Sequence, residues 1–333
     1  MASGNITGLT AAPVEAGKAP SSLTQTWWLV RVNLFLARRR VMSKVLGALL
    51  VFFYVLIAGF VTLAYFSVKA SPTTCPPQAT GCPPPDQLAA LRQEQLIAIS
   101  NAVTFPHAFT VTGAYTQFMG VLIICIMVGA LVGGEYGFGT HRLSLPRGLS
   151  RLQVLGGQVL ASAIMALLIT VGLFLLGTLL GLTLGPALGG NVQGLTLEGV
   201  RELVVYCLAI ALYLFGYAMF AVLFATLGRS AAAGIAGAIG LLFLEFVVVN
   251  IVFPILAQVL SGDTAARVAH IPDWFPGPNF GALVTHAGEA PVAFSRGGQA
   301  GLDLTHAALM TALYIAACLV GSYALFRSRD VTD

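Results

Sequence analysis

The chain has 333 residues, 57% of them hydrophobic and only 9% charged, with a mean hydropathy of +0.86 and a formal net charge of +4. So little polar surface excludes a water-soluble globule of this length, whose core would have to swallow almost everything. The few basic residues flank apolar stretches, so the positive balance sets membrane topology and gives no footing for a nucleic-acid partner.

Residues 1–22 are rich in Gly, Ala, Pro, Ser and Thr and read as a disordered cytoplasmic tail. No cleavable signal is expected, since the first apolar run begins late, is too long for a signal core and lacks a small-residue cleavage site. Trp27, Trp28 and the run Arg38-Arg39-Arg40 follow. They suit either a helix lying along the inner membrane surface or the cytoplasmic start of the first span. Six apolar stretches then begin near Val45, Thr112, Val154, Leu203, Ala231 and Ala307. Each is long enough, at about twenty residues or more, to cross a hydrocarbon layer of roughly 30 Å as a helix. The expected fold is therefore an all-α integral membrane protein, with a six-span domain over residues 23–330.

The cations partition once these spans are drawn. Arg31, Arg38, Arg39, Arg40 and Lys44 precede the first span. Arg142, Arg147 and Arg151 lie between the second and third, Arg229 between the fourth and fifth, and Arg327 and Arg329 after the sixth. The opposite side holds only Lys69, Arg92, Arg201, Arg267 and Arg296. The positive-inside rule then puts both termini in the cytoplasm and turns the loops at about 70–111 and 257–303 outward, in a multi-pass protein of the cytoplasmic membrane.

The first outer loop opens on prolines and becomes helix-like from Asp86 to Asn101. Its Cys75 and Cys82 bracket a Pro-rich stretch, and an oxidising exterior permits a disulfide between them; the alternative is two free thiols. Cys125, Cys207 and Cys318 fall inside spans, as small packing residues. In the last outer loop, Trp274 and Phe275 are expected to dip into the interface, with Pro272, Pro276 and Pro278 forbidding regular helix. Gly129/Gly133 and Gly177/Gly181/Gly185 repeat at four-residue spacing, which lets helices approach closely, within one chain or between two.

The densest motif runs Gly134-Glu135-Tyr136-Gly137-Phe138-Gly139-Thr140-His141-Arg142-Leu143-Ser144-Leu145-Pro146-Arg147-Gly148-Leu149-Ser150-Arg151. Gly137 and Gly139 stop the second span, Thr140 can cap a short helix, and Pro146 with Gly148 ends it. Ser150 and Gln153 form a capping-box pattern for the third span. The outcome is a short cytoplasmic helix suited to docking a partner. Glu135 breaks a rule, since a carboxylate at a helix C-terminus opposes the macrodipole. Arg142, Arg147 and Arg151 are the nearest cations in sequence, and the bland alternative is a solvated interfacial carboxylate.

This segment resembles the permease subunits of type-2 ABC exporters, whose second span ends in Glu followed by Gly-Thr, a coupling helix and Ser/Thr-Arg. The ending Phe326-Arg327-Ser328-Arg329-Asp330 resembles the Phe-x-x-Arg-Asp terminus of the same family. The resemblance implies that Glu135, Gly139, Thr140 and Arg142 belong to a coupling region, with Arg147 and Arg151 beside them. It also implies that residues 23–40 form an elbow helix. The expected partners are a cytoplasmic ABC ATPase carrying ATP and Mg, a second permease copy or homologue, and the lipid bilayer.

Lys18, Lys44 and Lys69 are the only lysines, and none sits in a Walker A context, so ATP hydrolysis needs another polypeptide. No HExxH, CxxC or Gly-x-Ser-x-Gly pattern occurs, so no catalytic residue, metal or cofactor is assigned to the chain itself. Tyr206, Tyr213 and Tyr217 fall on one stripe of the fourth span, either lining a conduit or packing. Glu245, with Asn250 further along the fifth span, is either a pathway group or a buried carboxyl bonded to a neighbouring helix. An ATP-independent carrier would need several such intramembrane ionisable groups. That carrier, and a membrane-embedded structural or immunity protein, are the alternatives to the permease.

Overall fold

A computed structural model describes residues 21–71, 84–137, 150–189, 196–288 and 302–328. Every regular element among them is helical. Among the described residues, six helices are long and apolar enough to cross a membrane: α2 (Val41–Ala70), α4 (Ala108–Tyr136), α5 (Arg151–Ala187), α6 (Leu197–Gly228), α7 (Ala231–Val259) and α10 (Leu304–Ser328). The shorter α-helices among the described residues are α1 (Ser22–Arg39), α3 (Pro85–Val103), α8 (Asp263–Ala269) and α9 (Pro276–Ala287), with a 3-10 turn at Ile271–Trp274 between the last two.

The bundle is built around α4 and α6. Two-thirds of the apolar stretch of α4 (67%) and over half of that of α6 (56%) are buried, against 17% in α2, 11% in α7 and 17% in α10. Peripheral helices thus turn continuous apolar faces outward, which suits hydrocarbon and not water.

Small residues decide the close contacts. A Cβ on Gly133 would stand 2.3 Å from the Ala231 backbone nitrogen, and one on Gly129 would stand 2.8 Å from that of Ile235. Gly177 lies against Thr112 and Tyr54, Gly181 against Phe105 and Gly185 against Thr104. Both small-residue faces are therefore occupied by packing within one chain. Beside Gly177, Thr112 donates to the Ala108 carbonyl at 2.8 Å. Its oxygen is 2.6 Å from the Tyr54 hydroxyl, while Tyr115 donates to the Leu50 carbonyl at 2.6 Å. These bonds tie α2 to α4 where no water competes for them.

Arg40 separates α1 from α2 with an extended backbone, φ −67° and ψ 129°. Ser22–Arg39 is thus a helix of its own and not a fraying start of α2. Val30, Asn33 and Ala37 are buried, while Trp27, Trp28 and Phe35 are exposed. α1 runs beside the opening turns of α5: Gln153 donates to Gln25 at 2.9 Å, and Leu29 fills the space over Gly157. At the other end, α3 folds back on α2, with Arg92 donating to the Val68 carbonyl at 3.1 Å and also to that of Lys69.

α6 and α7 form a tight hairpin. Arg229 closes α6 in the left-handed region (φ 49°), and Ser230 caps α7 by accepting from the Ala233 amide at 3.1 Å. Further along α7, Val248–Val252 widens into a π turn in which the Phe253 amide bonds the Val248 carbonyl. Pro254 follows at once; it lacks an N–H and crowds the carbonyl four residues back, so the ladder slips by one residue.

The prolines of the last loop act differently from expectation. Pro276 and Pro278 open the regular helix α9 within its first turn and do not prevent it. A proline at the first helical position loses no hydrogen bond, because that amide has no intrahelical acceptor. Trp274 is exposed, but most of α9 is buried between α6 and α10.

Candidate functional site

Two polar clusters stand out against the apolar bundle. The first gathers where α4 ends and α5 begins. Gln158 of α5 donates to Glu135 at 2.6 Å. Arg40, at the α1–α2 break, donates to the Ala130 carbonyl at 2.6 Å and lies against Gly134, within electrostatic reach of Glu135. A guanidinium set beside the last turns of a helix complements its dipole and offsets the carboxylate that opposes it. Ser150 and Gln153 form a complete capping box, with the Ser150 hydroxyl accepting from the Gln153 amide at 3.2 Å and the Ser150 amide donating to Gln153 Oε1 at 2.8 Å. Next to it, Arg151 donates to the carbonyls of Phe326 and Arg327 at 2.9 and 2.7 Å. It thereby caps the C-terminus of α10, while Tyr136 packs edge-on against Phe326 at 6.5 Å.

Five helices (α1, α2, α4, α5 and α10) are thus fastened together around the ends of the segment 138–149. Gly139, Thr140, Arg142 and Arg147, and with them the expected coupling helix, lie outside the described residues. So do Cys75 and Cys82.

The second cluster is a buried knot. Glu245 is 4% exposed; its Oε2 accepts from the Tyr217 hydroxyl at 2.8 Å and its Oε1 from the backbone amide of Gly277. The knot joins α6, α7 and the N-terminus of α9. Phe280, one turn into α9, stands edge-on to Tyr217 at 5.5 Å, Tyr213 at 6.2 Å and Tyr314 at 6.4 Å. Gly216 makes room for this ring, since a Cβ there would stand 2.6 Å from it.

The tyrosine stripe is divided by the fold. Tyr213 and Tyr217 belong to the knot, whereas Tyr206 packs on Phe174 at 5.8 Å and under Gly113 and Gly288. All three rings are buried within the single chain. Asn250 stands apart from the knot's bonds and donates to the Phe246 carbonyl of its own helix at 3.0 Å. Sequence reasoning named Arg40 only within the basic run before the first span, without its contact to α4, and missed Gln158, Gly277 and Phe280. Gln158 carried a signal, because it lies seven residues after Arg151, on the same face of α5.

The family model for ABC-2 family transporter proteins matches residues 37–331. No curated protein matched the chain in a parallel comparison. The matched stretch takes in all six long apolar helices and both polar clusters. The chain belongs to the ABC-2 transporter family and is a multi-pass membrane permease subunit.

Proposed function

We propose that this permease is the membrane half of an ATP-driven exporter, working as a dimer with itself or a homologue and powered by a separate cytoplasmic ABC ATPase. The chain supplies no phosphate-binding loop, so the nucleotide and its Mg ion belong to that partner. The observation that carries the reading is the cluster at Glu135. A push on the segment 138–149 reaches α4 through Glu135, α1 and α2 through Arg40, α5 through Gln158 and α10 through Arg151. A segment whose flanking helix ends are fastened to the rest of the bundle suits a mechanical input from an ATPase, because packed helices shift as units. Arg142 and Arg147 are its cationic contacts with the partner, and both termini lie on the same cytoplasmic face.

The test is co-purification of the permease with a candidate ABC ATPase from the same organism, co-expressed with it. Arg142→Glu combined with Arg147→Glu is expected to abolish the complex while membrane insertion stays intact. Undiminished complex formation and ATPase activity in the double variant would overturn the assignment.

A further inference from the structure

Where α1 gives way to α2, these two helices and the flanks of α4 and α5 leave a cleft of about 400 Å³. That size falls within the range of small-ligand sites. Arg38 and Lys44 stand on its rim with Ser43, and no acidic side chain lines it. Both cations are exposed, and among the described residues neither joins an ion pair. The apolar wall is Met127, Met165 and Leu168. Met165 and Leu168 follow Gln158 by seven and ten residues, so this wall runs roughly 10–15 Å further along α5 than the polar cluster at Glu135. Leu168 is 61% exposed, so the cleft opens sideways on the flank of the bundle, where hydrocarbon lies.

A ligand for this shape needs an anion at one end and a flexible apolar chain at the other, aligned with the helices. A water-soluble phosphate would leave the apolar wall bare, and a neutral lipid would leave two cations without a counter-charge. Basic pockets between membrane helices favour anionic headgroups, and methionine adapts to mobile chains. We propose that the cleft binds an anionic phospholipid of the surrounding membrane, with its phosphate between Arg38 and Lys44 and an acyl chain laid along Met127, Met165 and Leu168. The site goes beyond the transport reading and does not depend on it.

The experiment is native mass spectrometry of the detergent-solubilised chain titrated with phosphatidylglycerol, phosphatidylcholine or glycerol phosphate. Wild type is expected to retain phosphatidylglycerol in preference to phosphatidylcholine, with glycerol phosphate failing to displace it. Arg38→Ala with Lys44→Ala should weaken that retention roughly twenty- to thirtyfold, at about fivefold per cation near a membrane surface. Arg38→Lys with Lys44→Arg should preserve it. Leu168→Trp, which fills the cleft from its exposed side, should weaken it without touching either charge. Equal retention of both lipids, full displacement by glycerol phosphate, or unchanged retention in the alanine pair would each overturn the proposal.

Discussion

The carboxyl of Glu245 on α7 accepts the backbone amide of Gly277 at the start of α9. That helix has no side-chain cap of its own at Phe275. Pro276 and Pro278 carry no N–H, and the Asn279 amide already reaches the Phe275 carbonyl at 3.4 Å. Gly277 is therefore the one donor of the first turn left without a local acceptor, and a carboxylate at a helix N-terminus is the group that suits it best. A Cβ at 277 would stand 2.7 Å from the Tyr217 hydroxyl, so glycine is what lets the backbone come this close. A mid-span acid thus serves as a cap supplied by another helix.

Replacing Glu245 tests this arrangement. Glu245→Gln keeps its oxygen for the Gly277 amide and can donate its NH2 to the Tyr217 hydroxyl oxygen, so it is expected to melt close to wild type in detergent. Glu245→Leu strands a buried amide and a buried hydroxyl, each costing about 1–3 kcal/mol, so its melting temperature should fall clearly. A Leu variant as stable as wild type would show that the cap contributes nothing to the fold. Transport lost in both variants while the Gln variant keeps its stability would point to a pathway role beside the structural one.

Glu135 makes a different prediction, because it touches moving parts of the proposed mechanism. Glu135→Gln leaves an oxygen to accept from Gln158 and removes the charge that faces Arg40. Expression and melting should stay near wild type, since a single carboxylate at a helix end contributes about 1 kcal/mol or less. Transport, or ATPase activity of the assembled complex, is expected to fall. A fully active variant would remove Glu135 from the coupling path, and one that fails to assemble would make it a folding residue.

The sequence made the spans legible because their signal is local: twenty apolar residues in a row admit few other readings. The Ser150/Gln153 capping box was readable for the same reason, its partners being three residues apart. Helix α3 was visible in its composition, and its ends match expectation within two residues. What escaped was tertiary. Arg40 reaches a carbonyl ninety residues away in sequence, and Glu245 finds an amide thirty-two residues on, which no local pattern encodes. The prolines of the last loop misled for a sharper reason. Proline forbids helix interiors but favours helix starts, and only the packing of α9 against α6 decided which rule applied.

The pair Cys75 and Cys82 is tested by chemistry. A disulfide closing this short loop would contribute roughly 2–3 kcal/mol on the chain-entropy estimate. Intact mass of non-reduced protein, with and without alkylation, is expected to show both thiols protected. Ready labelling of either cysteine before reduction would exclude the bridge.

The small-residue faces give the last prediction, and paired substitutions separate packing from composition. Gly133 and Gly172 both lie inside spans, but their surroundings are opposites. A Cβ on Gly133 would press within 2.4 Å of backbone atoms of Ser230 and Ala231, whereas one on Gly172 would meet nothing within 4 Å. Backbone cannot rotate away as a flexible side chain can, so Gly133→Ala must push the start of α7 off α4. Overpacking of this kind costs about 1–3 kcal/mol. Gly172→Ala should be neutral or slightly stabilising, since alanine is the better helix former by up to about 1 kcal/mol. Thermal melting of the two variants reads the difference directly. Because the Gly133 contact lies within one chain, its loss should be the same at every protein concentration. A Gly133→Ala effect that shrinks as concentration rises would instead assign that face to an interface between copies.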